Sequence, residues 1–303
     1  MQNTAHLLMI RPVRFAFNKE TAVNNTFQEV DTDKDVASIA ELEFDTFAQK
    51  LISSGLDVTI VQDTPEPHTP DSIFPNNWIS FHEDGTIILY PMFAENRRAE
   101  RKPHVLNEIK SKFNVTNQID LTDLENKQMF LEGTGSMVLD RDNKIAYACL
   151  SPRTNQNALE IFANKTGYQI VSFHSTDQQR LPIYHTNVMM CVAKQFVVIC
   201  MDSITDNTER EMVEKLIQKT GKKLVPISFE QMEHFAGNML QVQNKQDEKL
   251  LVMSTQAFNS LLPEQIQILE KYNRIIHSDL STIEKNGGGS ARCMLAEVFL
   301  PLK

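Results

Sequence analysis

Short apolar runs recur along the chain, each introduced by a polar or glycine-bearing lead-in. The lead-ins are Asn76-Asn77-Trp78-Ile79, Gly133-Thr134-Gly135-Ser136-Met137, His185-Thr186-Asn187-Val188-Met189, Gly237-Asn238-Met239-Leu240 and Arg292-Cys293-Met294-Leu295. Taken at positions 77, 135, 187, 238 and 293, they are spaced by 58, 52, 51 and 55 residues, which marks an internal repeat. After each of the first four comes a second strand pattern: Thr86–Tyr90, Lys144–Cys149, Phe196–Met201 and Lys249–Ser254. A helix-period segment follows, as in Thr208–Thr220, where Met212, Leu216 and Ile217 share one face. A third strand closes the unit, as in Gln169–Phe173 and Lys223–Ile227. The N-terminal stretch supplies a strand at Leu7–Ile10, a helix near Asp35–Ser54 and a strand at Val58–Val61, but no lead-in strand. The apolar run Met294–Leu300 fits that gap. The pattern predicts an α/β ring of five ββαβ units in one domain, 1–303, with the C-terminal strand closing onto the N-terminal unit. An open α/β sheet with chance spacing is the other reading.

Composition narrows the function classes. The chain has 303 residues, 41% of them hydrophobic, enough for a substantial core. Its net charge of −9 argues against a nucleic-acid partner, which requires clustered positive charge. The basic clusters Asn96–Lys102 and Lys222-Lys223 are short. Residues 1–17 lack the apolar run of a signal peptide, and no segment reaches the roughly 18 apolar residues of a membrane span. A cytoplasmic protein without membrane or nucleic-acid partners is expected, with self-association into a homo-oligomer left open.

Candidate chemistry gathers at the lead-ins. Four cysteines occur without CxxC spacing, and Cys149, Cys191 and Cys200 sit inside apolar runs that read as core. Cys293 differs, because it follows Gly287-Gly288-Gly289-Ser290 and stands beside Arg292. Glycines allow close backbone approach to a ligand, and an adjacent arginine favours a thiolate. A buried structural cysteine is the alternative. Glu132 opens one lead-in and His185 another, so a ring would bring nucleophile, proton carrier and carboxylate to one pocket. A backbone-satisfied strand-edge histidine and a solvated turn glutamate are the plainer readings. Gly133-Thr134-Gly135 lacks the GK[ST] of a phosphate loop, and no histidine has HxxH or HExxH spacing. Neither a metal nor another cofactor is expected.

The motifs PDSIFPNNW (Pro70–Trp78), NRRAER (Asn96–Arg101), LEGTGS (Leu131–Ser136), SPRTN (Ser151–Asn155), YHTN (Tyr184–Asn187) and GGGSARCM (Gly287–Met294) together resemble the guanidino-group modifying superfamily. These are the five-bladed α/β propellers, or penteins, that include arginine deiminases, dimethylarginine hydrolases and amidinotransferases. The resemblance spans the chain from Arg11-Pro12 to Cys293. It implies that Cys293 attacks the central carbon of a guanidinium or ureido group, that His185 relays protons and that Glu132 grips substrate nitrogens. It also implies that Asp71 touches the polar head of the substrate. Arg153, with Arg97 or Arg98, would hold an α-carboxylate, a role suited to a guanidinium fork.

Two departures bear on the substrate. Arginine-processing members carry an acidic residue where this chain has Asn77, and the residues after Glu132 also differ. A buried guanidinium lacking its carboxylate costs about 3–5 kcal/mol, whereas a neutral ureido group can pair with an amide. The resemblance is therefore nearest to the citrulline-utilisation hydrolases, which release ornithine, carbon dioxide and ammonia. Small-molecule amino-acid substrates are implied. Hydrolysis of arginine or dimethylarginine is the first alternative. A non-catalytic propeller like the translation factor that keeps ribosomal subunits apart is the second.

Overall fold

The computed structural model describes residues 1–30 and 35–303. Fifteen strands form five three-stranded sheets. Four are continuous in sequence: β3 (Ile79–Phe81), β4 (Thr86–Leu89) and β5 (Asn117–Asp120); β6 (Val138–Asp140), β7 (Ile145–Cys149) and β8 (Gln169–Phe173); β9 (Met190–Val192), β10 (Phe196–Ile199) and β11 (Lys223–Pro226); β12 (Leu240–Gln243), β13 (Lys249–Ser254) and β14 (Arg274–Ser278). The remaining sheet unites the chain ends: β15 (Ala296–Glu297), β1 (His6–Arg11) and β2 (Asp57–Gln62). Every sheet has the same plan, an antiparallel inner pair and a parallel outer pair. A parallel connection needs a crossover. Helices α1 (Val36–Ser53), α2 (Pro103–Lys112), α3 (Gln156–Thr166), α4 (Asn207–Lys219) and α5 (Pro263–Glu270) provide them. The fold thus has the five α/β units that the repeat predicts, as the resemblance implies.

Local sequence accounts for these elements. Helix α1 starts where the Asp35 side chain accepts the Ser38 N–H. It buries Ala40, Phe44, Phe47, Ala48 and Leu51, the one face that a 3.6-residue period allows. In α4 the phase differs from expectation: Val213 and Ile217 are buried, Leu216 is partly covered and Met212 is exposed. The apolar run Met294–Leu300 is buried as expected, but only Ala296–Glu297 is strand. Its first residues are spent on a helical turn, with Cys293 N donating to Ser290 O, Met294 N to Ala291 O and Leu295 N to Arg292 O. Three other lead-ins also form one-turn helices, at Pro75–Asn77, Gly133–Ser136 and Thr186–Met189.

The lead-in strands pack side by side, β3 against β15, and β9 against both β6 and β12. Residues 2–4 tie four of them together. Gln2 Nε2 donates to Leu139 O and Val192 O, Asn3 Nδ2 to Gln241 Oε1, and Thr4 Oγ1 to Val298 O. Among the described residues, no helix is long and apolar enough to cross a membrane.

Candidate active site

The helical turns of the lead-ins converge on a small, partly open cavity. Asp71, Asn77, Arg97, Arg153, His185 and Cys293 all line it. Residues 18–28 cover it: Asn18 Nδ2 donates to Asp71 Oδ2 at 2.8 Å, Asn25 Nδ2 to Gly288 O and Gln28 Nε2 to Asn286 O. A polar covering segment is expected from the sequence over Val13–Thr32, of which residues 31 and 32 lie outside the described part. Gly288 has φ +60°, and a Cβ there would meet Asn25 Nδ2 at 2.5 Å, so glycine lets the cover close.

Cys293 is 3% exposed, at the base of the cavity. Asn187 Nδ2 and Asn238 Nδ2 approach its sulfur at 3.4 and 3.3 Å. The guanidinium of Arg292 is turned elsewhere, donating to Leu295 O at 2.8 Å and Glu297 at 3.0 Å. The expected arginine support of the thiol is therefore replaced by two amides.

His185 Nε2 lies 2.8 Å from Glu132 Oε2, with both side chains buried. Burial lowers the His185 pKa to about 4, outweighing the Glu132 carboxylate that favours the charged ring. Burial by itself would raise Glu132, but Arg153, the His185 hydrogen bond and Arg97 hold it down to about 2. At neutral pH the pair is a neutral imidazole and a carboxylate. A carboxylate only accepts, so Nε2 carries the ring proton and Nδ1 is a bare acceptor. Nδ1 lies beside Gly135, where a Cβ would come within 2.7 Å of it and 2.4 Å of Asn77 Nδ2. Only glycine permits that close approach. Glu132 does not line the cavity; it stands behind the imidazole and also accepts the Phe93 N–H.

The arginines divide sharply. Arg97 is buried and lines the cavity, donating to Asn77 Oδ1 at 2.8 Å and, through two nitrogens, to Glu100. Burial raises Glu100 to about 7 despite this pairing. Arg98 does not reach the cavity: it donates to Met92 O and Phe93 O and lies 3.5 Å from Glu125. Arg153 donates to Asn24 Oδ1 and Thr21 O of the cover and stands 3.7 Å from Glu132. Asp71 keeps one oxygen, Oδ1, buried without a partner, and its pKa is raised chiefly by burial. Asn76 Nδ2 and Asn187 Oδ1 are likewise buried and unpartnered. Asn187, Asn238 and the covering Asn24 were given no role by sequence reasoning. A signal existed for two of them, since Asn187 and Asn238 hold the repeat position that Cys293 holds in its own unit.

A five-unit α/β fold with candidate reactive side chains on the lead-in turns is shared with solved enzymes that act on guanidino compounds. Within that class the assignment is specific: the chain belongs to the family described as "N,N dimethylarginine dimethylhydrolase, eukaryotic", matched over residues 11–300. Its fold matches the N-terminal domain of ArgZ, an arginine dihydrolase from the ornithine-ammonia cycle in Cyanobacteria, in a cysteine-to-serine variant bound to substrate. There the TM-score is 0.76 at 18% identity, covering 98% of each chain. Against apo ArgZ the TM-score is 0.75 at 17% identity, covering 98% of this chain and 41% of that one. The chain thus spans about two-fifths of that longer protein. A dimethylarginine dimethylaminohydrolase, in a histidine-to-glycine variant carrying an S-methyl-L-thiocitrulline adduct, matches with TM-score 0.63 and 14% identity, covering 97% and 99%. At such identities the likeness is one of fold. No curated protein sequence matches the chain.

Proposed function

We propose that the protein is a cysteine-dependent hydrolase of the ureido group of citrulline, giving ornithine, carbon dioxide and ammonia. Residues 1–303 act as one catalytic domain of a cytoplasmic protein. The observation that carries the substrate choice is the chemistry of the reacting end. Amides, Asn77 beside His185 and Asn187 and Asn238 on the sulfur, stand where a cationic guanidinium needs carboxylates. Glu132 is already engaged by His185 and faced by Arg97 and Arg153. A neutral ureido group suits such a wall, because its carbonyl accepts and its NH groups donate to amide partners.

Catalysis starts as His185 Nδ1 takes the Cys293 proton and the sulfur adds to the ureido carbon. The imidazolium, stabilised by Glu132, returns the proton to the departing nitrogen, so ornithine leaves as an amine rather than an anion. A carbamoyl thioester remains on Cys293. Neutral His185 then takes a proton from water, whose oxygen attacks the thioester carbonyl and expels the sulfur. The resulting carbamate breaks down to carbon dioxide and ammonia. Asp71, with its free buried oxygen, and Arg97 and Arg153 hold the amino-acid end; Arg98 serves the fold.

Hydrolysis of arginine or a methylated arginine is the second reading, favoured by the unpartnered Asp71 Oδ1 as a cation acceptor and by the family match. Steady-state kinetics on citrulline, arginine and dimethylarginine separate the two. The citrulline reading expects the highest kcat/KM for citrulline, and faster turnover of either guanidine overturns it.

A further inference from the structure

Among the described residues, no cationic group is within hydrogen-bonding reach of the Cys293 sulfur, yet it is met by two amide nitrogens from other units. The orientation of Asn238 is fixed by other bonds. Asn238 Oδ1 accepts the Arg292 N–H at 3.0 Å, while its Nδ2 also donates to Asn187 O at 2.8 Å. Turning this amide over would face an oxygen to the sulfur and break both bonds. Asn187 accepts from Asn238 through its backbone carbonyl, and its side chain turns Nδ2 to the sulfur at 3.4 Å while its Oδ1 is buried without a partner. Asn238 and Asn187 are both essentially fully buried, so water does not compete for these donors.

A thiolate accepts hydrogen bonds from N–H donors far better than a thiol does, and a charged acceptor roughly doubles the strength of such a bond. Two buried N–H donors, one of them held in place by its other bonds, therefore favour the charged sulfur over the neutral one. We propose that Asn238 and Asn187 form an amide clamp that stabilises the Cys293 thiolate, taking the part the sequence suggests for Arg292. The clamp acts on the charge that the sulfur carries once its proton has left, and does not depend on which ureido or guanidino compound is the substrate. Its repeat-related placement explains the geometry: a side chain at this lead-in position points to the convergence point of the units, where Cys293 Sγ also lies.

The test measures the thiolate of Cys293 in the full-length protein without substrate, so its outcome is separable from that of the citrulline assays. Thiolate absorbance in the ultraviolet is recorded at neutral pH, with Cys293→Ser subtracted as background. Burial pushes Cys149 and Cys191 up to about 12 and Cys200 up to about 11, so they stay protonated and silent. Asn238→Ala, and independently Asn187→Ala, are expected to lower the thiolate signal and the iodoacetamide reaction rate about ten-fold, the effect of losing one hydrogen bond to a charged group. Asn238→Asp keeps the shape but can face a carboxylate oxygen to the sulfur, and it should lower the signal further. Wild-type thiolate signal and alkylation rate in both alanine variants, with the fold intact by circular dichroism, would overturn the clamp. Should one alanine variant fail to fold, the other decides by itself.

Discussion

The two ends of the cavity solve different electrostatic problems. At the gripping end, full charges are buried and matched: Arg97 against Glu100, and Arg153 beside Glu132 and the carbonyl of Thr21. At the reacting end, the groups around Cys293 and His185 Nδ1 are neutral amides and glycine. The contrast teaches where this site spends its charge. On the proposed reading, ions would hold the amino-acid part of the substrate, and dipoles would surround the atom that changes bonding. A reacting group that carries no charge of its own is the natural occupant of the second region.

Several changes would break or sharpen this contrast. The largest effect is expected from Cys293→Ala, which should reduce kcat by about 10⁴-fold or more, as nucleophile removals do; steady-state assays check it. His185→Gln follows, with a loss of about 10²–10⁴-fold, the usual worth of a general acid–base. Asn77→Asp introduces a carboxylate at the neutral end, directly against Arg97. It should lower kcat/KM for citrulline by about ten-fold, the equivalent of one hydrogen bond, while raising relative activity on arginine. Arg97→Ala and Arg98→Ala then distinguish the charged end from its flank. The first leaves Glu100 buried without its partner and should cost about 3 kcal/mol in urea melts. The second removes a partly exposed pair and should cost under about 1 kcal/mol, with KM unchanged.

The pH profile reports on the same division. His185 acts as a base only when neutral, so kcat/KM should fall as pH drops through about 4, and a limb near the ordinary 6.5 would contradict its burial. Between 6.5 and about 4 the unfolded chain binds this proton and the folded chain does not. Stability contributed by the neutral ring is therefore lost as pH falls through that window. Glu284 works in the opposite sense. Burial, partly offset by hydrogen bonds from Ser254 and Ser290, raises it to about 7, so the folded chain holds its proton longer. Its contribution declines as pH rises from the ordinary 4.5 through about 7.

Much of the fold was legible because a repeat is a statement about spacing. The positions 77, 135, 187, 238 and 293 mark five equivalent lead-ins, and the missing strand of the first unit pointed to the chain's other end. What the pattern hid was phase. Met212 and Val213 are both apolar, and only packing decides which one α4 buries. Arg97 and Arg98 are chemically identical neighbours, separated only by their direction on the turn Glu95–Arg98. Arg292 is adjacent to Cys293 in sequence but is drawn to Glu297, because that buried carboxylate needs a cation. The amides of Asn187 and Asn238 were visible as repeat positions, whereas their aim at the sulfur depends on the helical turns.

The most direct measurement is intact-protein mass spectrometry after rapid mixing with citrulline and acid quench. One carbamoyl increment, mapping to the peptide that contains Cys293 and absent from Cys293→Ser, is the expected result. An increment on any other residue, or citrulline turnover undiminished in Cys293→Ser, would contradict covalent catalysis by this cysteine.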